Sequence, residues 1–222
     1  MKKYMFALSV ISVVAFYSCK KEEEPEAPYN SFTGNSGIFV DSRDNQTYPW
    51  VRIGTQIWMA KNLNTGTMIQ STQSQTNNNV IEKYAYNNDP TKISTYGGLY
   101  SYMEMRAHVL CGTPGVIKGI APDGWHIPNN DEWVIFKNYV AANPTINLND
   151  ASGFAGLMCG RYYYSDQQIA FEHMGSNAYF WQNSEYCPIN SFYMRLLPSN
   201  GNVSSGITSK RSALSVRCIK DN

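Results

Sequence analysis

Asp123-Gly124-Trp125-His126-Ile127-Pro128-Asn129-Asn130-Asp131-Glu132-Trp133 is the stretch that sets the fold class, because it closes an extended run and opens a helix. Pro128 stands just ahead of the helix. Asn129 offers a side-chain oxygen to the open amides of the first turn, and Glu132 follows three residues on, an Asn version of the capping box. Trp133, Phe136 and Val140 then recur at spacings of three and four, an apolar stripe on one helical face. Asn143-Pro144 ends it.

Upstream, the pattern is that of strands. Order is expected to begin near Gly37, with β-prone runs at Ile38-Phe39-Val40 and at residues 48–53, parted by the turn formers of residues 41–46. Gly54-Thr55 separates the second run from Gln56-Ile57-Trp58-Met59, which predicts a tight hairpin. Residues 65–79 are rich in Thr, Gln and Asn and read as an exposed loop. Residues 99–110, from Leu99 to Leu110, space their apolar side chains for one buried face and predict a further helix. From Gly153 onward short aromatic segments alternate with Gly, Ser and Asn turns as far as Ser215-Val216-Arg217-Cys218-Ile219. Strands mixed with helices in one chain make an α+β domain.

The front of the chain has another character. Lys2 and Lys3 precede an apolar stretch from Tyr4 to Tyr17, interrupted only by Ser9 and Ser12. As a helix it covers roughly 21 Å, short of the ~30 Å hydrocarbon core, which suits an export signal better than a span. Cys19 follows the small residue Ser18, the pattern at which a lipoprotein signal peptidase cuts once the thiol is diacylated. Residues 1–18 are therefore read as a lipoprotein signal peptide and Cys19 as the lipidated residue. Residues 19–36 are read as a tether, since Lys20-Lys21-Glu22-Glu23-Glu24-Pro25-Glu26 has nothing to bury. Cys, two lysines and then several acids resemble the surface-export signal of Bacteroidetes lipoproteins, which implies the outward face of the outer membrane. Several acyl chains hold a protein there far more firmly than one.

The chain of 222 residues carries 18 basic and 17 acidic residues. Loss of Lys2 and Lys3 with the signal leaves 16 basic residues, a formal charge of −1. So little positive charge gives no grip on phosphate backbones, and nucleic acid is excluded as a partner. The 16 Tyr and 5 Trp predict a core built largely of rings.

Six segments in series carry a family resemblance. They are Phe39-Val40-Asp41-Ser42-Arg43-Asp44 with Thr47-Tyr48; the run from Val51 to Leu63; Tyr96-Gly97-Gly98-Leu99-Tyr100; Asp123 through Trp133; Trp181-Gln182-Asn183-Ser184-Glu185; and Ser215-Val216-Arg217-Cys218. From about Ile38 to Asp221 the chain resembles the Fibrobacter succinogenes major paralogous domain, so residues 37–222 are assigned to that domain. The family is similar in turn to C-type-lectin-like folds, including the formylglycine-generating enzymes, whose Leu-Pro-x-x-x-Glu-Trp segment looks like Ile127 to Trp133. The resemblance implies a mixed antiparallel sheet, two flanking helices and long loops. Ala121 stands where the family usually has a Cys.

With Cys19 acylated, Cys111, Cys159, Cys187 and Cys218 remain, an even number in an exported chain that favours disulfides and allows three pairings. The lectin-like resemblance implies Cys111 with Cys218, and with it Cys159 with Cys187. The histidines, His108, His126 and His173, have no metal-ligand spacing, and His126 between Trp125 and Ile127 reads as structural. Asp123, Asp131 and Glu132 offer carboxylates, two of which helix capping accounts for. Tyr162-Tyr163-Tyr164 and Tyr179-Phe180-Trp181 are candidates for stacking on sugar rings or anchoring a protein. The expectation is a surface-exposed outer-membrane lipoprotein serving as a non-enzymatic recognition or structural module, adhesin-like, binding glycan or protein without cofactor or metal. The alternative is an enzyme of the formylglycine-generating type or a hydrolase, which needs a pocket joining a nucleophile or metal to an acid/base group.

Overall fold

A computed structural model of the chain describes residues 31–113, 115–149, 153–197 and 203–221. The signal peptide, Cys19 and most of the expected tether lie outside the described residues. Two antiparallel-rich sheets and one long helix make an α+β fold. The first sheet runs β1 (Ser36–Val40), β2 (Thr47–Ile53), β3 (Gln56–Met59), β14 (Ile219–Lys220) and β7 (Trp125–His126) in spatial order, all antiparallel. The second runs β12 (Val203–Ser209), β11 (Asn190–Leu196), β10 (Ala178–Glu185), β8 (Cys159–Tyr164), β13 (Ala213–Leu214) and β6 (Tyr100–Ser101), with β9 (Ile169–Met174) on β8. Its β8–β10 contact is parallel and the rest is antiparallel. A short parallel pair, β4 (Thr67–Met68) and β5 (Glu82–Lys83), lies in the long loop region.

The expected hairpin forms with Ile53 opposite Gln56 across Gly54-Thr55. Gly54 has φ +63°, and a Cβ there would stand 2.9 Å from the Tyr139 ring, so both turn and packing call for glycine. Tyr139 belongs to α3 (Asn130–Ala142), which begins where the sequence predicts. Asn129 Oδ1 accepts from Glu132 N at 3.0 Å and Glu132 Oε2 accepts from Asn129 N at 2.8 Å, the reciprocal bonds of a capping box. Trp133, Phe136 and Val140 are its buried face.

Leu99 to Leu110 does not form the expected helix. Leu99 bridges Tyr84, Tyr100 and Ser101 pair with β13, and only one helical turn remains, α2 (Tyr102–Met105), after the single turn α1 (Ile93–Tyr96). Ala107 and His108 take φ of +50° and +56°, which stops propagation. Arg106 holds the chain in that path by donating to the carbonyls of Val109 and Leu110 and to Asn183. Pairing with the sheet outweighs the local 3.6-residue pattern. Among the described residues only one long helix therefore flanks the sheets. The other boundary also moves, because Phe32 packs on Phe39, Trp50 and Trp125 inside what reads as tether.

The core is aromatic, as the composition predicts. One cluster gathers Phe39, Tyr48, Trp50, Tyr100, Tyr102, Trp125 and Trp181, and a second gathers Trp58, Trp133, Phe136, Phe154 and Phe180. Arg217, only 1% exposed, lies between strands and rings: Nε and Nη2 donate to Asn62 Oδ1, Nη1 to the carbonyls of Met59 and Phe154, and Nη2 to that of Ala155. Its guanidinium stands 4.4 Å from the Phe154 ring centroid. Burial draws its pKa down to about 9, which leaves it charged at neutral pH.

The four cysteines are free thiols, which corrects both pairings that the resemblance implied. Cys218 is fully buried in the first aromatic cluster, while Cys111 is exposed and accepts from Lys210 Nζ at 3.2 Å. Cys159 is sealed in the second cluster at 3.1 Å from Ser215 Oγ. Cys187 lies half-buried beyond the end of β10. Partners in separate surroundings of this kind are not brought to bonding geometry. Burial pushes the Cys159 and Cys218 thiols up, so both stay protonated and unreactive.

Candidate ligand-binding groove

Strand β8 alternates its tyrosines as a pleated strand must. Tyr162 enters a third, smaller apolar cluster with Tyr84, Leu99 and Ala213, whereas Tyr163 and Tyr164 stay half-exposed. Tyr163 lies beneath the Arg161 guanidinium at 4.6 Å and Tyr164 beneath that of Arg211 at 3.9 Å, measured to ring centroids. Tyr179, Phe180 and Trp181 are all at most 2% exposed. That segment is therefore core, and it offers no platform.

Two chambers meet at Tyr164 and Arg211. The first, about 290 Å³, is bounded by Ser71, Gln73, Ser74, Tyr84, Tyr162 and Lys210. The second, about 510 Å³, is bounded by Tyr163, Asp166, Ile189, Asn190, Ile207 and Thr208. The loop of residues 65–79, read from sequence only as exposed, forms a wall of the first chamber and is fastened from behind. Tyr84 Oη donates to Gln73 O at 2.6 Å, Tyr162 Oη to Ser71 O at 3.4 Å, and Gln75 bridges Leu99 O and Ser101 N. Burial pushes the Tyr84 hydroxyl up to about 12, so it remains a donor.

The opposite wall is the turn between β12 and β13, residues 209–212. Ser212 N donates to Ser209 O at 2.9 Å, Lys210 N to Ile189 O at 2.9 Å, and Tyr102 N to Lys210 O at 3.1 Å. Ser212 Oγ accepts from Tyr164 N at 3.0 Å, tying the turn to β8. Lys210 Nζ donates to Glu185 Oε2 at 3.1 Å and to Cys111. Burial opposes its charge, but those bonds outweigh burial and its pKa is raised. The sequence reading singled out Tyr162 to Tyr164 and missed Lys210, Arg211 and the Ser71 to Gln75 wall. The basic pair inside a Ser-rich turn, Ser209-Lys210-Arg211-Ser212, was the available signal for the first two.

His126 is structural, as its neighbours in sequence suggest. Its Nδ1 lies 2.6 Å from Asp221 Oδ1 and its Nε2 2.6 Å from Glu132 Oε1, so it joins β7, the start of α3 and the end of β14. Asp123 pairs with Lys118, and Asp131 is exposed at the helix start. Burial resists the His126 charge, yet the bonds to Glu132 and then Asp221 prevail and raise its pKa above 6.5. A raised folded pKa gives stability that is complete below about pH 6.5 and disappears as pH climbs through the folded value. The wild-type Tm is expected to fall more steeply than that of His126→Gln as pH rises above 6.5, with the two curves converging. Parallel melting curves across that range would refute it.

The arrangement offers aromatic rings, hydroxyls, amides and the cations Lys210 and Arg211 along a concave surface, a composition suited to holding a polar ligand. No curated protein and no solved structure matches the chain. Residues 51–147, which run from the β2–β3 hairpin through α3, match the family model described as the Fibrobacter succinogenes major domain, the family that the sequence resembles.

Proposed function

We propose that this protein is a lipid-anchored outer-membrane lipoprotein, held through Cys19 and facing the cell exterior, that binds glycan in the two-chambered groove without chemical turnover. In this reading the sheets and α3 form a C-type-lectin-like scaffold. The observation that carries it is the meeting of two concave chambers at a half-exposed tyrosine, with fixed amide and hydroxyl walls. Sugars are recognised by such combinations, their hydroxyls against fixed amides and planar polar groups beside aromatic rings. The lipid rests on the sequence of residues 1–19, whose apolar stretch ends in Ser18-Cys19.

One experiment on the expressed full-length chain tests both halves. Cells fed labelled palmitate should acylate the wild type and leave Cys19→Ala unlabelled. The detergent-solubilised protein should give signals on a glycan array that Tyr164→Ala weakens at least about five-fold. Unlabelled wild type refutes the anchor, and an array on which Tyr164→Ala equals wild type refutes the site.

A further inference from the structure

Among the described residues the arginines are almost all committed within the protein. Arg43, Arg106 and Arg161 pair with carboxylates. Arg52 donates to the carbonyls of Gly34 and Phe32, Arg195 to Ser204 Oγ, and Arg217 to its cage of oxygens. Arg211 differs. Its backbone N–H donates to Ser209 Oγ at 3.2 Å, but its guanidinium meets no acceptor among the described residues and is instead laid over Tyr164 at the junction of the chambers. Lys210 beside it is already engaged by Glu185 and Cys111.

A guanidinium stacked by its flat face keeps its in-plane donors directed sideways, where they match the two oxygens of a carboxylate or sulfate. The turn that carries it is fastened at Ser209, Lys210 and Ser212, so little ordering is left to be done on binding. In the adjoining first chamber the side chains of Gln73 and Ser74 also bond to nothing among the described residues, and no carboxylate lines that chamber. Asp166 stands in the second chamber, where it disfavours a negative group.

We infer that the ligand is an anionic glycan, its acidic group gripped edge-on by Arg211 at the mouth of the first chamber and its hydroxyls met by Gln73 and Ser74. This rests on the glycan-binding reading above and adds the charge class. The anion is a carboxylate or a sulfate ester, chemistries the same guanidinium serves.

Calorimetry on the full-length chain in non-ionic detergent separates the cases, with oligogalacturonate, a sulfated dextran oligosaccharide and its neutral dextran counterpart as probes. The wild type should bind one or both anionic probes about ten-fold or more tightly than the neutral one. Arg211→Gln should remove that preference, and Arg211→Lys should retain part of it. Asp166→Asn should raise affinity for the anionic probes modestly. The better of the two anionic probes identifies the acidic group. Equal binding of neutral and anionic probes, or a preference that survives Arg211→Gln, overturns the inference while leaving sugar binding intact. Binding of none of the three removes both this inference and the reading beneath it.

Discussion

Replacing Arg217 with alanine is expected to cost about 3–5 kcal/mol of stability, read as a lower urea midpoint at unchanged slope. The side chain donates to Asn62 Oδ1 and to the main-chain oxygens of Met59, Phe154 and Ala155. All of these lie where water cannot readily replace a lost donor, and an unpaired buried acceptor costs about 1–3 kcal/mol. Truncation also removes the cation from the rings of Phe154 and Phe180, to which it stands 4.4 and 5.3 Å. Arg217→Lys tests the geometry rather than the charge. An ammonium group cannot serve acceptors on several sides of a planar fork, so this variant should still lose about 2 kcal/mol. A lysine variant as stable as wild type would show that charge alone matters there.

Trp133→Ala should be comparably damaging, about 3–5 kcal/mol, because it empties the middle of the second aromatic cluster. The Trp133 ring lies 4.6 Å from Trp58, 5.4 Å from Phe136 and 5.9 Å from Phe180 between centroids. Its indole N–H is buried and meets no acceptor among the described residues. Trp133→Phe removes that orphaned donor while keeping a ring, so its loss should stay below about 1.5 kcal/mol. Denaturant unfolding of the two variants side by side checks the contrast. Similar losses for both would mean that indole size, and not ring packing, holds the cluster.

Features decided by near neighbours were readable in the chain. The α3 start needed only Asn129 and Glu132, and the β2–β3 hairpin needed only Gly54-Thr55 between β-prone runs. Features decided across long sequence distances were not. Leu99 to Ser101 carry helical spacing, but Tyr84 and β13 claim their backbone groups. Even cysteine numbers suggested bridges, yet Cys159 and Cys218 are enclosed in separate apolar clusters that a sequence count cannot tell apart. The groove joins residues 71–75, 162–164 and 210–211, and only the tyrosines announced themselves. Arg211 gains its meaning from lacking a partner, which no local pattern reveals.

β14 is the latest strand in the chain, yet it lies inside the first sheet, hydrogen-bonded to β3 on one side and β7 on the other. Until those residues leave the ribosome, neither neighbour has its companion and the sheet has a gap through its middle. A nascent chain of this design leaves that sheet open until β14 is made. Closure of that sheet is then a late event, and its rate is governed by bringing far-separated parts of the polypeptide together.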